Sequence, residues 1–287
     1  PGGCNPVEGS HVKTGKNSSM SAYTWIALSL IAISSARHTA LGQGWRQDNA
    51  QGQPIHYQAA DQENLSEYQG QIESGIRFVQ AFFGHTYSRQ FDIYIHPNRN
   101  SLDSTWQKDW NMPAFKSECW MVASGVAAKL DMIAPRQWDK LSCEHHYADK
   151  DKTQQLITHE LVHVYHGQHN GSPDFSAVEG IDWLVEGLAT YASGQCDPSR
   201  ISGVKKRVAE HQVPAGLDDF WKGNDKYGLS GTLVMYIDHQ YGRQKLISLL
   251  PFTNKAAVLA TLGITESTLL AGWQSYIGGL QERVNGN

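Results

Sequence analysis

The stretch that decides the fold is His159-Glu160-Leu161-Val162-His163, which reads H-E-x-x-H. When this pattern lies on a helix, the two histidines share one face, so both imidazoles can bind one ion. The glutamate between them lies beside that ion, where it can act as a general base toward a water molecule. The pattern therefore predicts a zinc site with His159 and His163 as ligands and Glu160 as a catalytic residue.

The residues around this pattern favour a helix. Asp149, Asp151 and Thr153 provide the polar residues that start one. An apolar stripe then runs through the motif at helical spacing, and it consists of Leu156, Ile157, Leu161, Val162 and Val164. The motif is therefore predicted to lie on a helix.

A catalytic zinc ion usually takes three protein ligands, and Glu186 is the first candidate for the third. It lies in 183–191, a largely apolar segment that indicates a second helix with one inward carboxylate. Burying that carboxylate without a partner would be costly, and a metal ion removes the cost. We therefore favour Glu186 as the third ligand, with a partly exposed surface glutamate as the alternative interpretation.

The other candidate for the third ligand is His169. The run from His159 to His169 nearly matches the extended three-histidine pattern of metzincins, but that pattern has glycine where this chain has His166. Gly167 follows instead and could end the helix. On that interpretation His166 and His169 are surface histidines near the cleft. The choice between Glu186 and His169 stays open at this point.

Three segments together resemble the gluzincin metallopeptidases, specifically the peptidase-MA-like group. They are His-Glu-Leu-Val-His at 159–163, Trp-Leu-Val-Glu-Gly-Leu-Ala-Thr-Tyr at 183–191, and the segment 227–242, which is similar to that family's next helix. The resemblance extends over roughly residues 61–280, and it is strongest at the first two segments.

The resemblance implies a cofactor and a set of site residues. Zinc is implied as the cofactor, with His159, His163 and Glu186 as its ligands and Glu160 as the catalytic residue. It also implies that residues 119–134 supply an exposed edge strand, which holds an extended peptide by strand addition.

Amide hydrolysis also needs a donor to the developing oxyanion, usually a tyrosine or histidine. Tyr227 is our first choice, and Tyr236 and His239 are the alternatives, although each of them also fits an ordinary core or surface position. Carboxylates that hydrogen-bond the other ring nitrogen of each ligand imidazole are expected to orient it. Asp182 and Glu179 are candidates for that role.

The N-terminal part of the chain indicates export. Met20–Ala36 has the short apolar core and small-residue end of a secretory signal, and it is too short for a spanning helix of about 20 apolar residues. We expect residues 20–42 to be a signal peptide, and residues 1–19 to be a non-native or disordered leader. The predicted location is therefore extracellular, or periplasmic in a bacterium. A cytosolic tail followed by a hydrophobic helix is the alternative.

The cysteines agree with export. Removal of 1–42 leaves Cys119, Cys143 and Cys196. Cys119 and Cys143 flank a predicted β-hairpin, which favours a disulfide bond between them. Pairing of Cys196 with either of them stays open, because connectivity cannot be derived from sequence.

The order of the predicted elements gives the fold class. Residues 43–60 are rich in Gln and polar residues and indicate a flexible lead-in to one domain over 61–287. Strands are predicted at 91–95 and twice within 120–134, and 98–117 is predicted to be a polar loop. The prediction is an α+β, zincin-like fold, in which a small mixed sheet precedes a mostly helical half that carries the H-E-x-x-H helix.

Composition limits the partners. The net charge of −4 over 287 residues shows no excess of positive charge of the kind that binds nucleic acid or an anionic membrane. We expect a peptide or protein substrate, no nucleic acid, no stable membrane insertion after signal cleavage, and a monomer. The sequence thus predicts a secreted zinc-dependent hydrolase of peptide bonds. The alternatives are a zinc amidase or hydrolase of a non-peptide or cell-wall substrate, and an inactive binding domain with a vestigial zinc site.

Overall fold

The computed structural model describes residues 44–280, so the predicted leader at 1–19 and signal peptide at 20–42 lie outside the described residues. The described chain is α+β, with a small mixed sheet followed by a mostly helical half. The strands are β1 (Trp45–Ala50), β2 (Gln53–Gln58), β3 (Asp92–His96), β4 (Ala123–Val126) and β5 (Lys129–Ile133).

The helical half begins after the last strand, although two helices lie between strands. The helices are α1 (Leu65–Phe83), α2 (Arg99–Asp109), α3 (Trp138–Leu141), α4 (Lys150–His169), α5 (Asp182–Ala192), α6 (Pro198–Ala209), α7 (Lys226–Tyr241), α8 (Arg243–Ile247), α9 (Lys255–Leu262) and α10 (Glu266–Gly279). Within residues 44–280 no single helix is long and apolar enough to cross a membrane, although α9 and α10, bent by 68° at their break, together meet that test.

The sheet ends in an edge strand beside the motif helix. Its order is β1-β2-β3-β5-β4, with β2, β3 and β5 parallel and the two outer strands antiparallel to their neighbours. The Ile133 N–H donates to the carbonyl of Val122 at 2.8 Å. Because antiparallel pairs alternate between bonded and non-bonded, the backbone groups of Ala123 and Gly125 point away from β5. That outer edge of β4 faces the helical half.

One hydrophobic core joins the sheet to the helices. Fully buried members include Ile76 on α1, Ile93 on β3, Leu161 on α4, Trp183 on α5 and Leu233 on α7. Each buried side chain of this size stabilises the fold by about 1.5–3 kcal/mol. The core thus fixes α4 and α5 against the sheet and against each other.

The predicted flexible lead-in at 43–60 is wrong. Residues there form the β1–β2 hairpin, which turns at Gln51 and Gly52 with positive φ, and β2 pairs with β3 in the main sheet. Ile55, His56 and Tyr57 are all buried in β2, and the glutamines around them hid this short strand in the sequence. Because both strands belong to the sheet, the domain includes this segment.

The predicted polar loop at 98–117 is also wrong in its first half, where α2 forms. The Asn98 side chain caps this helix by accepting from the Ser101 N–H. Only Leu102 and Trp106 of α2 are buried, so the helical periodicity is weak in the sequence. Helix α9 was not predicted either.

The predicted Cys119–Cys143 disulfide is confirmed, with the two Cα atoms 5.4 Å apart. It ties the segment before β4 to the segment before α4. Cys196, which follows α5 in the sequence, is a free thiol.

Helices α5 and α7 cross at a glycine. A Cβ on Gly187 would lie 2.4 Å from the carbonyl oxygen of Ser230 on α7, a distance that no real contact reaches. Only glycine therefore allows the two backbones to approach this closely, and this approach sets the position of the neighbouring Glu186.

We expect Gly187→Ala to lower the free energy of unfolding by about 1–3 kcal/mol, because a backbone atom must shift to make room for the methyl group. Denaturant unfolding measures this change. Gly203→Ala is the matched control, since a Cβ there meets nothing within 4 Å on α6. That control should keep or raise the stability, because alanine is the better helix former. Equal stability of the two variants would contradict the close crossing.

Candidate metal centre

Two imidazoles converge on the cleft side of α4. The Nε2 atoms of His159 and His163 lie 3.1 Å apart, and both residues are buried. Their spacing of four residues on one helix produces this approach. Two ring nitrogens this close together in a buried place favour a shared cation between them.

Glu186 completes a triangle of ligand atoms. Its Oε2 lies 3.4 Å from Nε2 of His159 and 3.5 Å from Nε2 of His163. Tetrahedral zinc with ligands at about 2.0–2.1 Å would separate neighbouring ligand atoms by about 3.3 Å. These residues therefore fit a zinc ion. Within residues 44–280, theirs is the one cluster of three or more His, Cys, Asp or Glu side chains close enough together to hold a metal.

The charge of Glu186 suits a metal ligand. Burial alone would raise the pKa of this carboxyl, but the imidazoles of His163 and His159 lower the pKa well below its ordinary value. The carboxylate therefore stays ionised inside an otherwise apolar helix, where it offers a negative ligand atom to a cation.

Gln195 orients His159. Its side-chain oxygen lies 2.9 Å from Nδ1 of His159, so Nδ1 carries the proton and Nε2 is left free to bind a metal. A carboxylate was expected in this role, but within the described chain neither Asp182 nor Glu179 hydrogen-bonds a ligand imidazole. Asp182 lines the cleft, whereas Glu179 pairs through its backbone with Asn254. Nothing in the sequence around Gln195 indicated this contact.

Glu160 lies buried beside the ligands. Burial raises the pKa of its carboxyl to about 7, and the negative charge of Glu186 adds to the rise, while His159 and the N–H of Gly125 oppose it. A general base is most effective when its pKa lies near the working pH. Glu160 and Glu186 are thus two neighbouring carboxyls with opposite shifts, suited to proton transfer and to metal binding respectively.

The other two histidines of α4 are not at this centre. His166 was expected at the surface, but it is fully buried against Phe175 and the side chain of Asn170. Burial lowers its pKa to about 3, with the nearby His163 adding to the shift, so it stays neutral. His169 stacks on Tyr165 and hydrogen-bonds its carbonyl. The helix continues through Gly167, so neither ring turns toward the ligands.

Of the three candidate oxyanion donors, Tyr227 lies at the centre. Its ring centre is 6.2 Å from that of His159, and the residue lines the same cleft. Burial raises the pKa of the Tyr227 hydroxyl, and the charges of Glu186 and Glu160 raise it further, so the hydroxyl keeps its proton and can donate. Tyr236 and His239 instead pack against Tyr276 on α10.

The ligands lie at the bottom of an open cleft of about 1100 Å³. One wall is β4 with the residues before it. The other is made by α5, α6 and the start of α7, while Asp174 and Phe175 lie at one end. A Cβ on Gly125 would lie 2.1 Å from the carbonyl oxygen of Glu160, so the edge strand lies directly on the motif turn.

No family model matches the chain, and no curated protein matches it. Solved structures with a similar course of the backbone include an M1 zinc metallopeptidase from Deinococcus radiodurans, which is 15% identical with a TM-score of 0.47 over 84% of this chain and 52% of that one. A mutant two-domain M1 zinc metallopeptidase bound to L-tryptophan is 15% identical, with a TM-score of 0.43 over 82% and 51%. The same kind of protein bound to L-arginine is 14% identical, with a TM-score of 0.46 over 83% and 52%. The chain spans about half the length of these structures, and at such identity the likeness concerns the fold alone.

We expect Glu186→Ala to abolish zinc binding at micromolar zinc, because the variant loses the charged ligand, whereas His169→Ala should bind zinc like the wild type. Calorimetric titration with zinc measures both. Glu210→Ala, which removes an exposed carboxylate just after the end of α6, is the control. Loss of zinc in His169→Ala with retention in Glu186→Ala would overturn the ligand set.

We expect Gln195→Leu to weaken zinc binding by about 10- to 100-fold, because His159 loses the acceptor that fixes its protonated nitrogen. Competition with a chelator of known affinity measures the change. Gln244→Leu, at an exposed position of α8, should leave the affinity unchanged. An unaltered affinity in Gln195→Leu would show that the 2.9 Å contact does not orient His159.

Proposed function

We propose that this protein is an exported zinc-dependent hydrolase of peptide bonds. One observation carries the proposal: three ligand atoms of His159, His163 and Glu186 converge within 3.1–3.5 Å of one another beside the buried Glu160. A structural zinc site would be closed by a fourth protein ligand, usually a cysteine. Within the described residues no fourth protein ligand joins this cluster, so a bound zinc ion would keep one coordination position for water or substrate.

The proposed roles divide between the two glutamates and Tyr227. A zinc ion bound here would polarise the scissile carbonyl and make a water molecule more acidic. Glu160 takes a proton from the attacking water and delivers it to the leaving amine. Tyr227 donates its hydroxyl proton in a hydrogen bond to the developing oxyanion. Glu186 remains ionised and does not exchange protons.

The edge strand supports a peptide as the substrate. The outward N–H and carbonyl of Ala123 and the outward carbonyl of Gly125 lie along the cleft, where an extended chain can pair with them as an added strand, whereas the N–H of Gly125 bonds to Glu160. Because the cleft is open, it can accept a chain rather than a single small molecule. A peptide is therefore favoured over a small amide, and the intact set of four site residues disfavours an inactive domain.

Export is proposed from two features. Met20–Ala36 has the pattern of a secretory signal, and a disulfide joins Cys119 and Cys143. Structural disulfides form and persist mainly in oxidising compartments. Edman sequencing of the protein recovered from the medium or periplasm of its host would test the cleavage near residue 42.

We expect Glu160→Gln to retain zinc and to lose peptide hydrolysis by at least about 100-fold, because the amide cannot accept the proton. Tyr227→Phe should also retain zinc and lose about 10²–10³-fold in kcat, since one oxyanion donor is removed. A library of quenched fluorescent peptides measures activity, and metal analysis measures zinc.

Tyr276→Phe is the control for Tyr227→Phe, because Tyr276 lies on α10 outside the cleft lining and its loss should leave hydrolysis intact. A wild type that binds zinc and hydrolyses no peptide would refute the peptidase proposal. A fully active Glu160→Gln variant would refute the role of Glu160 as the base.

A further inference from the structure

Two cations lie on one wall of the cleft, beside the proposed oxyanion donor. Arg200 of α6 and Lys226 of α7 both line the cleft. The guanidinium carbon of Arg200 is 5.8 Å from the ring centre of Tyr227, and Nζ of Lys226 is 5.4 Å from the same centre. Since that ring is itself 6.2 Å from the ring of His159, both charges lie close to the place where the bond would be cut.

Neither cation is neutralised by the protein. Other cations nearby have carboxylate partners: Lys206 pairs with Glu210, Arg207 with Asp225, and Lys222 with Asp219. Arg200 and Lys226, by contrast, form no ion pair with any residue from 44 to 280. One terminal nitrogen of Arg200 is also buried without a hydrogen-bond acceptor. A buried, unpaired donor on a cation is costly, so this wall is suited to an anionic partner from outside.

Aromatic rings hold Lys226 in place. Its Nζ lies 4.5 Å from the ring of Trp221 and 5.1 Å from that of Trp120, in addition to Tyr227. Ring faces attract an ammonium group but leave its N–H donors free for an oxygen ligand. Because Trp120 lies three residues before the start of β4 at Ala123, this contact also places Lys226 near that end of the edge strand.

The carboxylates around the cleft do not pair with Arg200 or Lys226. Glu144 lines the same region of the cleft, but it is exposed and forms no ion pair with either cation in the described chain. Glu160 and Glu186 also line the cleft, but neither forms an ion pair with Arg200 or Lys226 within residues 44–280, and both are already assigned to the metal centre. The wall formed by Arg200 and Lys226 is therefore the positively charged part of a cleft that is otherwise acidic.

We propose that Arg200 and Lys226 form a subsite that binds a carboxylate of the substrate next to the scissile bond. The inference rests on the proposed function and refines it. Arginine suits this role because its planar group can bind both carboxylate oxygens at once. The carboxylate can come from an aspartate or glutamate side chain or from the C-terminus of the peptide, and both sources present the same chemistry to the two cations.

The test compares matched peptides on the zinc-loaded full chain. Acetylated alanine peptides carry Glu or Gln at each position in turn, and each peptide is made with a free or an amidated C-terminus. We expect Glu to exceed Gln, or the free C-terminus to exceed the amide, by about tenfold or more in kcat/KM, as for a charged hydrogen bond. The arm that shows the difference identifies the source of the carboxylate.

Substitutions assign the preference to the two cations. Arg200→Gln should remove most of the preference, so that kcat/KM falls about tenfold more for the carboxylate peptides than for the neutral ones, whereas Arg200→Lys should retain part of the preference. Lys226→Met should lower the preference as well. Lys206→Met removes an exposed cation from the same helix as Arg200 and should keep the full preference.

Binding separates this proposal from the peptidase proposal. Calorimetry with the zinc-loaded Glu160→Gln variant measures binding of the same peptides without turnover. One outcome would be that the wild type hydrolyses no peptide, while the carboxylate peptides bind and lose affinity on Arg200→Gln. That outcome would support the subsite and refute the peptidase proposal.

Three results overturn the subsite. They are hydrolysis with no carboxylate preference in either arm, an equal loss for acidic and neutral peptides in Arg200→Gln, and no binding of the carboxylate peptides. The second result would mean that Arg200 only positions Tyr227. Circular dichroism and zinc content check that each variant is folded. If Arg200→Gln does not fold, Lys226→Met decides, and an unchanged preference in that variant overturns the proposal.

Discussion

Close packing of backbones around α4 is the constraint on which the cleft depends. At Gly125 the edge strand lies against the carbonyl of Glu160, and at Gly187 helix α5 presses on α7. Neither contact leaves room for a side chain, so the positions of Glu160 and Glu186 are set by main-chain atoms and not by flexible side chains. Functional groups held by rigid elements keep their geometry before a ligand arrives. The convergence of the three ligand atoms follows from this packing.

The same packing gives two neighbouring carboxyl groups different properties. Glu186 faces the imidazoles of His159 and His163 and is held ionised. Glu160 is more deeply buried, and its pKa rises to about 7. Pairs of titratable groups whose environments push their pKa values apart are a recurring basis for assigning acid–base roles. Here the two carboxyl groups come from different helices, α4 and α5, and it is Glu186 whose oxygen lies within 3.5 Å of both imidazole Nε2 atoms.

The sequence predicted what depends on local spacing, and it missed what depends on contacts between distant segments. Two histidines four residues apart must share a helix face, and an apolar segment around Glu186 implies a partner for its charge, so both features could be predicted. Gln195 reaches His159 from a turn that has no periodic signal. His166 is buried by Phe175 and Asn170 in the loop after α4, which a pattern on the helix alone does not reveal. The β1–β2 hairpin was missed because its glutamines hid the short strands and because β2 joins the sheet through β3, which lies 38 positions away, as at Ile55 and Ile93.

The edge strand β4 also bears on how the protein avoids aggregation. An unpaired strand edge is a template on which other copies of a chain can pair, and long, flat edges are a recurrent cause of self-association. Here the edge is four residues long and lies inside a cleft with α4 beneath it. The recess therefore shields this edge of the sheet from edge-to-edge pairing, while it leaves the strand open to an extended chain.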